Sequence, residues 1–540
     1  MAAMTKRRLG IAAFIALFAA AALLYRHTSP QPSDRHPNGV YDDSLVLAPH
    51  YVEFVTDTNE RFVHQAAELK RRLGSAPHVL VGFAASLPIQ IPATDLGQKL
   101  TEKQMASTLE TVDRIVERAR KGRVIVHITL MSGFFHGMNQ LRPAAIQQDV
   151  RNAQWYADGW IGEPATLAGL NEAAGVAAIS VPATVWITPS RYARPLRARM
   201  EEAIRLVGSR LAARMAEHPE TLLTISGDGE VELNYERSIS GGEHVVAGDH
   251  PIYADYSPFS IEEFRDWIQQ SRYEGDKSPS TDDNRDGHTF NRDFKTAFTT
   301  WRLRYFDSSG PIPFSSYIKL TAKLPTSGPS FIESGFDAPR VPQPEDPLWD
   351  LWMKFREQSI ANYERDFATW ITSSPAPGRN FRVPAPHFFS HQIPADFLFE
   401  QKDGLRLKTS ASPANTAFIS PIGSSGITVF NTYDGNVHKK TGVPELFKQL
   451  SLSSANWGVF EYNPSMPVGP AGGKPSMDMS YYLGELRSLY AWRPHVIVPF
   501  AWTDLPEQKT LDIQNSTFEA ALKSFIAEVG SKPWTPFSQK

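Results

Sequence analysis

The stretch "TLLTISGDGEVELNYE" (221–236) begins as an apolar run of strand-forming residues and breaks, after Gly227 and Gly229, into the carboxylates Glu230, Glu232 and Glu236. It is fed directly by "RARMEEAIRLVGSRLAARMAEHPE" (197–220), a long pattern of helical period. Strand side chains alternate faces, so Glu230 and Glu232 share a side if the extended backbone continues past Gly229. A strand that surfaces into acids is either a solvated end or the floor of a site.

The same helix-then-strand unit recurs along the chain. "HVLVGFAAS" (78–86) reads as a buried strand, and "EKQMASTLETVDRIVERARKG" (102–122) as a helix with Met105, Leu109, Val112 and Ile115 on one face. "RVIVHITLMSG", "ATVWITPS" and "TLLTIS" follow as strands, then "PHFFSHQIP", "GITVFNTYDG", "NWGVFEYNP" and "PHVIVPFAW". Eight near-continuously apolar strands with helical crossovers indicate a parallel sheet covered on both faces. Eight of them predict an α/β fold, a closed (β/α)8 TIM barrel, over residues 31–540. A long insertion, 241–382, separates strands 4 and 5. Its helical segments are "SIEEFRDWIQQS", "FKTAFTTWRLRYFDS" and "PLWDLWMKFREQSIANYERDFATWI", the last of which rejoins the barrel wall.

Composition narrows the chemistry. The 540 residues carry a formal net charge of −3, which leaves no basic surplus for phosphate contacts and argues against a nucleic-acid partner. With 0 cysteines the chain has no disulfide, thiolate metal site or cysteine nucleophile. It contains no G-x-S-x-G, H-E-x-x-H or glycine-rich phosphate loop, so serine-hydrolase, metalloprotease and kinase chemistry lack their motifs. Lys6, Arg7 and Arg8 precede an apolar run of 17 residues (9–25), followed by Pro- and Ser-containing polar sequence. Residues 1–30 therefore read as an export signal, either an uncleaved transmembrane anchor or a cleaved signal peptide. The body is expected outside the cytoplasm, on the periplasmic face of the inner membrane if anchored and free if cleaved. Oligomeric state is not legible.

The C-terminal strand ends of a parallel barrel open onto one face, where such barrels place their chemistry. Two carboxylates stand at such ends, Glu230 and Glu461, the latter where "ANWGVFEYNP" breaks into Asn463 and Pro464. Cleaving a glycosidic bond needs two carboxyl groups, one protonated to help the leaving oxygen depart and one ionised to attack or to activate water. Apolar rings give sugars a stacking face and raise a nearby acid's pKa. His391, Tyr433, Trp457, Tyr462, Asn463 and Trp502 stand at strand ends as substrate-binding candidates, with Glu232 supporting the acid.

"TISGDGEVEL", then "YSPFSIEEFRDWI", then "WGVFEYNP" in this order resembles glycoside hydrolases of clan A. It is most similar to the family 42 type of β-galactosidase. The resemblance implies Glu230 as general acid/base and Glu461 as nucleophile of a retaining mechanism on a carbohydrate. Clan A enzymes carry Asn immediately before the acid/base; here Gly229 stands there, and Asn234 is the candidate substitute. "GDGEVELNY" is also similar to a stretch of β-amylases, which leaves Glu232 as an alternative acid and an inverting α-glucan hydrolase as an alternative activity. An envelope-glycan transglycosylase would use the same residues, and a non-catalytic carbohydrate-binding envelope protein would use the fold alone.

No cofactor is expected for catalysis. Within the insertion, "DDNRDGHTFNRD" places Asp282, Asn284 and Asp286 before Gly287, with Asp293 eleven residues after the first, the pattern of a calcium loop. Its two readings are a structural Ca2+ site and a solvated turn.

Overall fold

In the computed structural model the alternation of buried strand and amphipathic helix closes on itself. The structure describes residues 43–92, 96–131, 145–146, 148–153, 190, 192–227, 238–239, 243–244, 257–273, 347–392, 398–400, 406–408, 427–429, 447–448, 450–452, 456–462, 477–503 and 513–537. Contacts divide the chain after Asp43, and the architecture belongs to the second unit, Ser44–Lys540.

Eight strands form the barrel: β1 (Leu45–Leu47), β2 (Val79–Pro88), β3 (Ile125–Met131), β4 (Leu223–Gly227), β5 (Phe388–Gln392), β6 (Ile427–Val429), β7 (Gly458–Tyr462) and β8 (Val496–Pro499). Each pairs in parallel with the next, and β8 returns to β1 through Val46↔Val496 and Leu47↔Ile497. Parallel neighbours require a crossover. It is supplied by α1 (Asn59–Leu73), α2 (Ala106–Gly122), α3 (Arg194–Glu217), α4 (Pro258–Tyr273) and α5 (Pro347–Thr372) before β5, by α6 (Met479–Tyr490) before β8, and by α7 (Thr517–Val529) after it. Two short antiparallel pairs, Ser238–Ile239 with Glu243–His244 and Leu398–Glu400 with Arg406–Lys408, lie in the β4–β5 and β5–β6 connections.

Two strand expectations change. The first barrel strand is "LVL" at 45–47, which the reading of eight strands omitted. The place given to "ATVWITPS" is taken by β3, whose residues 126–130 pair directly with 223–227 of β4; residues 183–189 lie outside the described residues. The count of eight and the positions of β4 and β7 as fourth and seventh strands stand.

The helices form for local reasons and bury one stripe each. In α1 the Thr58 hydroxyl caps the Arg61 amide at 3.2 Å, and Phe62, Ala66, Leu69 and Leu73 recur at helical spacing on the buried side. Phe62 meets Phe83 of β2 edge-on, with ring centroids 5.8 Å apart. Full burial of such a side chain stabilises by about 1.5–3 kcal/mol. Between α2 and α3, Arg210 and Arg214 both reach Asp113 at 2.6 Å. Burial pushes the Asp113 carboxyl up, but the two guanidiniums outweigh it and hold the group below its usual range. The first and last helices are tied by Arg72 to Glu519 at 2.5 Å.

The expectation that the last helix of the insertion rejoins the wall is met by α5. Its Phe367 ring lies 6.0 Å from that of Phe388 in β5 and fills the space beside Gly227, where a Cβ would come within 2.6 Å of it. Gly82 in β2 has a similar cause: a Cβ there would fall 1.8 Å from the Ile125 carbonyl oxygen, so β2 and β3 approach as they do only because the residue has none.

Candidate active site

The strands carry two buried faces. Val126, Ile128 and Leu130 of β3, Leu223 and Ile225 of β4, Val459 of β7 and Ile497 of β8 join the core shared with the helices. The alternate residues point into the barrel. His127 of β3 stacks on Phe460 of β7, centroids 4.4 Å apart and planes 26° from parallel. These strands are opposite each other in a ring of eight, so the rings meet through its interior. Phe389 of β5 meets Phe460 edge-on at 5.9 Å. His127 is also hydrogen-bonded along β4, Nδ1 to Thr224 Oγ1 at 2.8 Å and Nε2 to Ser226 Oγ at 3.0 Å. Ser226 in turn donates to Thr129 Oγ1 at 3.4 Å.

Nearer the C-terminal ends of the strands, His50, just beyond β1, pairs its Nε2 with Ser86 Oγ of β2 at 3.0 Å and stacks on Phe500, just beyond β8, at 5.0 Å. His50 Nδ1 has no hydrogen-bond partner among the described residues. Burial lowers its pKa to about 4, so the ring is uncharged at neutral pH.

In β7 the pairing slips. Val459 faces Ile497 and Tyr462 faces Pro499, so three steps on β7 match two on β8. Phe460 is inside the barrel, whereas Tyr462 is in the outer core, 6.5 Å from Phe518 of α7. Regular alternation would put both on one face; the extra residue at the slip separates them. The extra residue lies between Val459 and the outward Tyr462, a span of chain that includes Glu461.

The candidate residues therefore divide. Glu461 is in β7 and His391 in β5, where it pairs with Thr428. Trp457, Tyr462 and Trp502 do not reach the interior. Trp457 is 1% exposed, packs on Phe447 and donates its indole N–H to the Trp492 carbonyl at 3.0 Å. Trp502 is fully buried edge-on to Phe83 on the outer face of β2. Burial also raises the Tyr462 phenol well above its ordinary range. Glu230, Glu232, Asn234, Tyr433 and Asn463, the loop residues Asp282, Asn284, Asp286 and Asp293, and residues 1–30 all lie outside the described residues. Among the described residues, no group of His, Asp and Glu could hold a metal ion, and no helix is long and apolar enough to cross a membrane.

The interior polar residues His50, Ser86, His127, Thr129, Thr224 and Ser226 were not singled out as site candidates. For His127, Thr129, Thr224 and Ser226 the signal was present: "VHITL" and "LTIS" alternate apolar with polar residues, a period of two inside runs that otherwise look uniformly buried. A separate cavity of about 290 Å³ lies among α3, α4 and α5, beside Arg197, Glu263, Trp267 and Asn362. None of its lining residues comes from a barrel strand.

No protein-family model matches the chain, and no curated protein matches it. Among solved structures it is similar to the β-galactosidase of the psychrophilic Marinomonas ef1, at 12% identity over 90% of this chain and 59% of that one, with a TM-score of 0.46. It is similar also to the β-galactosidase of the Antarctic haloarchaeon Halorubrum lacusprofundi, at 12% identity over 90% and 58%, TM-score 0.47. A third is the cold-adapted β-galactosidase of Rahnella sp. R3, at 11% identity over 92% and 58%, TM-score 0.40. The chain thus spans about three fifths of the length of these proteins.

Proposed function

We propose that the chain is a glycoside hydrolase that cleaves a carbohydrate with Glu230 and Glu461. The observation that supports this reading is the pairing of strands: β4 ends at Gly227, three residues before Glu230 in the sequence, and β7, which includes Glu461, runs parallel to it in the same closed barrel. Glu461 attacks the anomeric carbon while Glu230, protonated, gives its proton to the leaving oxygen. Water deprotonated by Glu230 then releases the sugar and restores both groups. His391 and Asn463 are proposed as substrate contacts, and the Asp282–Asp293 loop remains a proposed structural Ca2+ site in the insertion. Residues 1–30 are proposed to export the enzyme and, if uncleaved, to anchor it.

The test is a panel of para-nitrophenyl glycosides and α-glucans given to wild type, Glu461→Gln and Glu230→Gln. The first variant is expected to be nearly inert throughout. The second is expected to lose about 10²–10⁴-fold on substrates with poor leaving groups and much less on nitrophenyl ones, because a good leaving group needs no proton. Full activity in both variants would sink the assignment. A carboxyl separation of about 5 Å means retention, and roughly 6.5–9.5 Å means inversion.

A further inference from the structure

We infer that His127 is a positioning residue for the carboxylate pair, one that sets the gap between its two members; this rests on the glycosidase reading. His127 touches both strands that lead to the acids. Its two ring nitrogens hold Thr224 and Ser226, the inward residues at the end of β4. Its face lies on Phe460, the residue immediately before Glu461. β4 and β7 are three places apart in the ring, so no ladder hydrogen bond fixes their spacing directly.

Both ring nitrogens are engaged, Nδ1 with Thr224 and Nε2 with Ser226, and Ser226 reaches on to Thr129, so the ring is tied to β4 at two points. His127 is fully buried, and a buried group bonded at both nitrogens has little freedom to turn. Chemistry that depends on two carboxyl groups at a set distance is sensitive to such a strut, since a misplacement of about 1 Å can cost roughly 100-fold.

Two full-length variants separate the halves of the strut. His127→Phe keeps the ring on Phe460 and loses both hydrogen bonds to β4; His127→Gln keeps a polar bridge to β4 and loses the ring. Should the first fail to fold, the second keeps the inference testable. On the nitrophenyl glycoside that the wild type turns over best, His127→Phe is expected to lose about 100-fold in kcat with little change in KM. The acid limb of its pH–rate profile should move, and His127→Gln should recover part of the loss. Ile128→Ala, on the outward face of the same strand, serves as control: a lower Tm with kcat unchanged. Crystal structures of wild type and His127→Phe should differ in the Glu230–Glu461 carboxyl separation by about 0.5 Å or more. Unchanged kcat, pH profile and separation in both His127 variants overturn the inference, and an inert Glu461→Gln alongside them leaves the glycosidase reading standing. A fully active Glu461→Gln overturns that reading instead, and the separation still decides whether His127 spaces the strands.

Discussion

His50 shows how one side chain links the barrel interior to solution conditions. Its folded pKa of about 4 lies below the ordinary 6.5, so the unfolded chain binds the proton more readily. The associated stability is present above pH 6.5 and is lost as pH falls from there toward 4. At about 1.4 kcal/mol per unit the loss is about 3 kcal/mol. Urea unfolding at a series of pH values should show that slope in the wild type and its absence in His50→Gln. A wild-type curve as flat as the variant's would mean that His50 is not held uncharged by burial. Nothing in "APHYVEF" marks residue 50 as interior, because the position follows a strand of three residues, too short for a period to register. Glu461 was singled out for the opposite reason: an acid directly after "WGVF" breaks a run in which all the other residues are apolar or Gly.

At the scale of elements, strand and helix identities were readable wherever an apolar period ran for two turns or more, as in α1, α2 and α3. What sequence missed were short or coupled features: β1, whose burial comes from β2 and β8 on either side, and the slip in β7, which exists only relative to its partner. The aromatic rings at strand ends were read as a sugar platform. Trp457 and Trp502 instead fill the core between strands and helices, and facing is set by register, which composition does not encode. The close approach of β2 and β3 gives a test at this scale. Gly82→Ala forces its methyl onto the Ile125 carbonyl and should cost about 3 kcal/mol or more, measured as a fall in denaturation midpoint with the m-value unchanged. Gly484→Ala, where a Cβ meets nothing within 4 Å, should not destabilise, since it lies within α6.

For the whole molecule, closure is the property that matters. β1 pairs with β8, and Arg72 of α1 reaches Glu519 of α7, so the first and last parts of the described fold hold each other. Phe518, Leu522, Phe525 and Ile526 of α7 are all buried in this seam. Removing residues 513–537 should therefore abolish the cooperative transition rather than lower it, and circular dichroism on heating should show a broad, sloping loss of helix. A sharp transition in the truncated chain would mean that the ring closes without its last helix. This property was legible in outline, since eight units of strand and crossover have few ways to bury both faces.

The slip in β7 also bears on how the chain can change length. Loops on a barrel absorb insertions of any size, but residues after the slip are sorted to the two faces by counting. Deleting the one extra residue would restore regular alternation with Phe460 still inward and Tyr462 still outward, whereas adding a second one there would carry Tyr462 to the barrel side and empty its place in the outer core. In descendants of this sequence, the slip can therefore be lost singly without exchanging the two faces, while additions within that strand should survive only in twos.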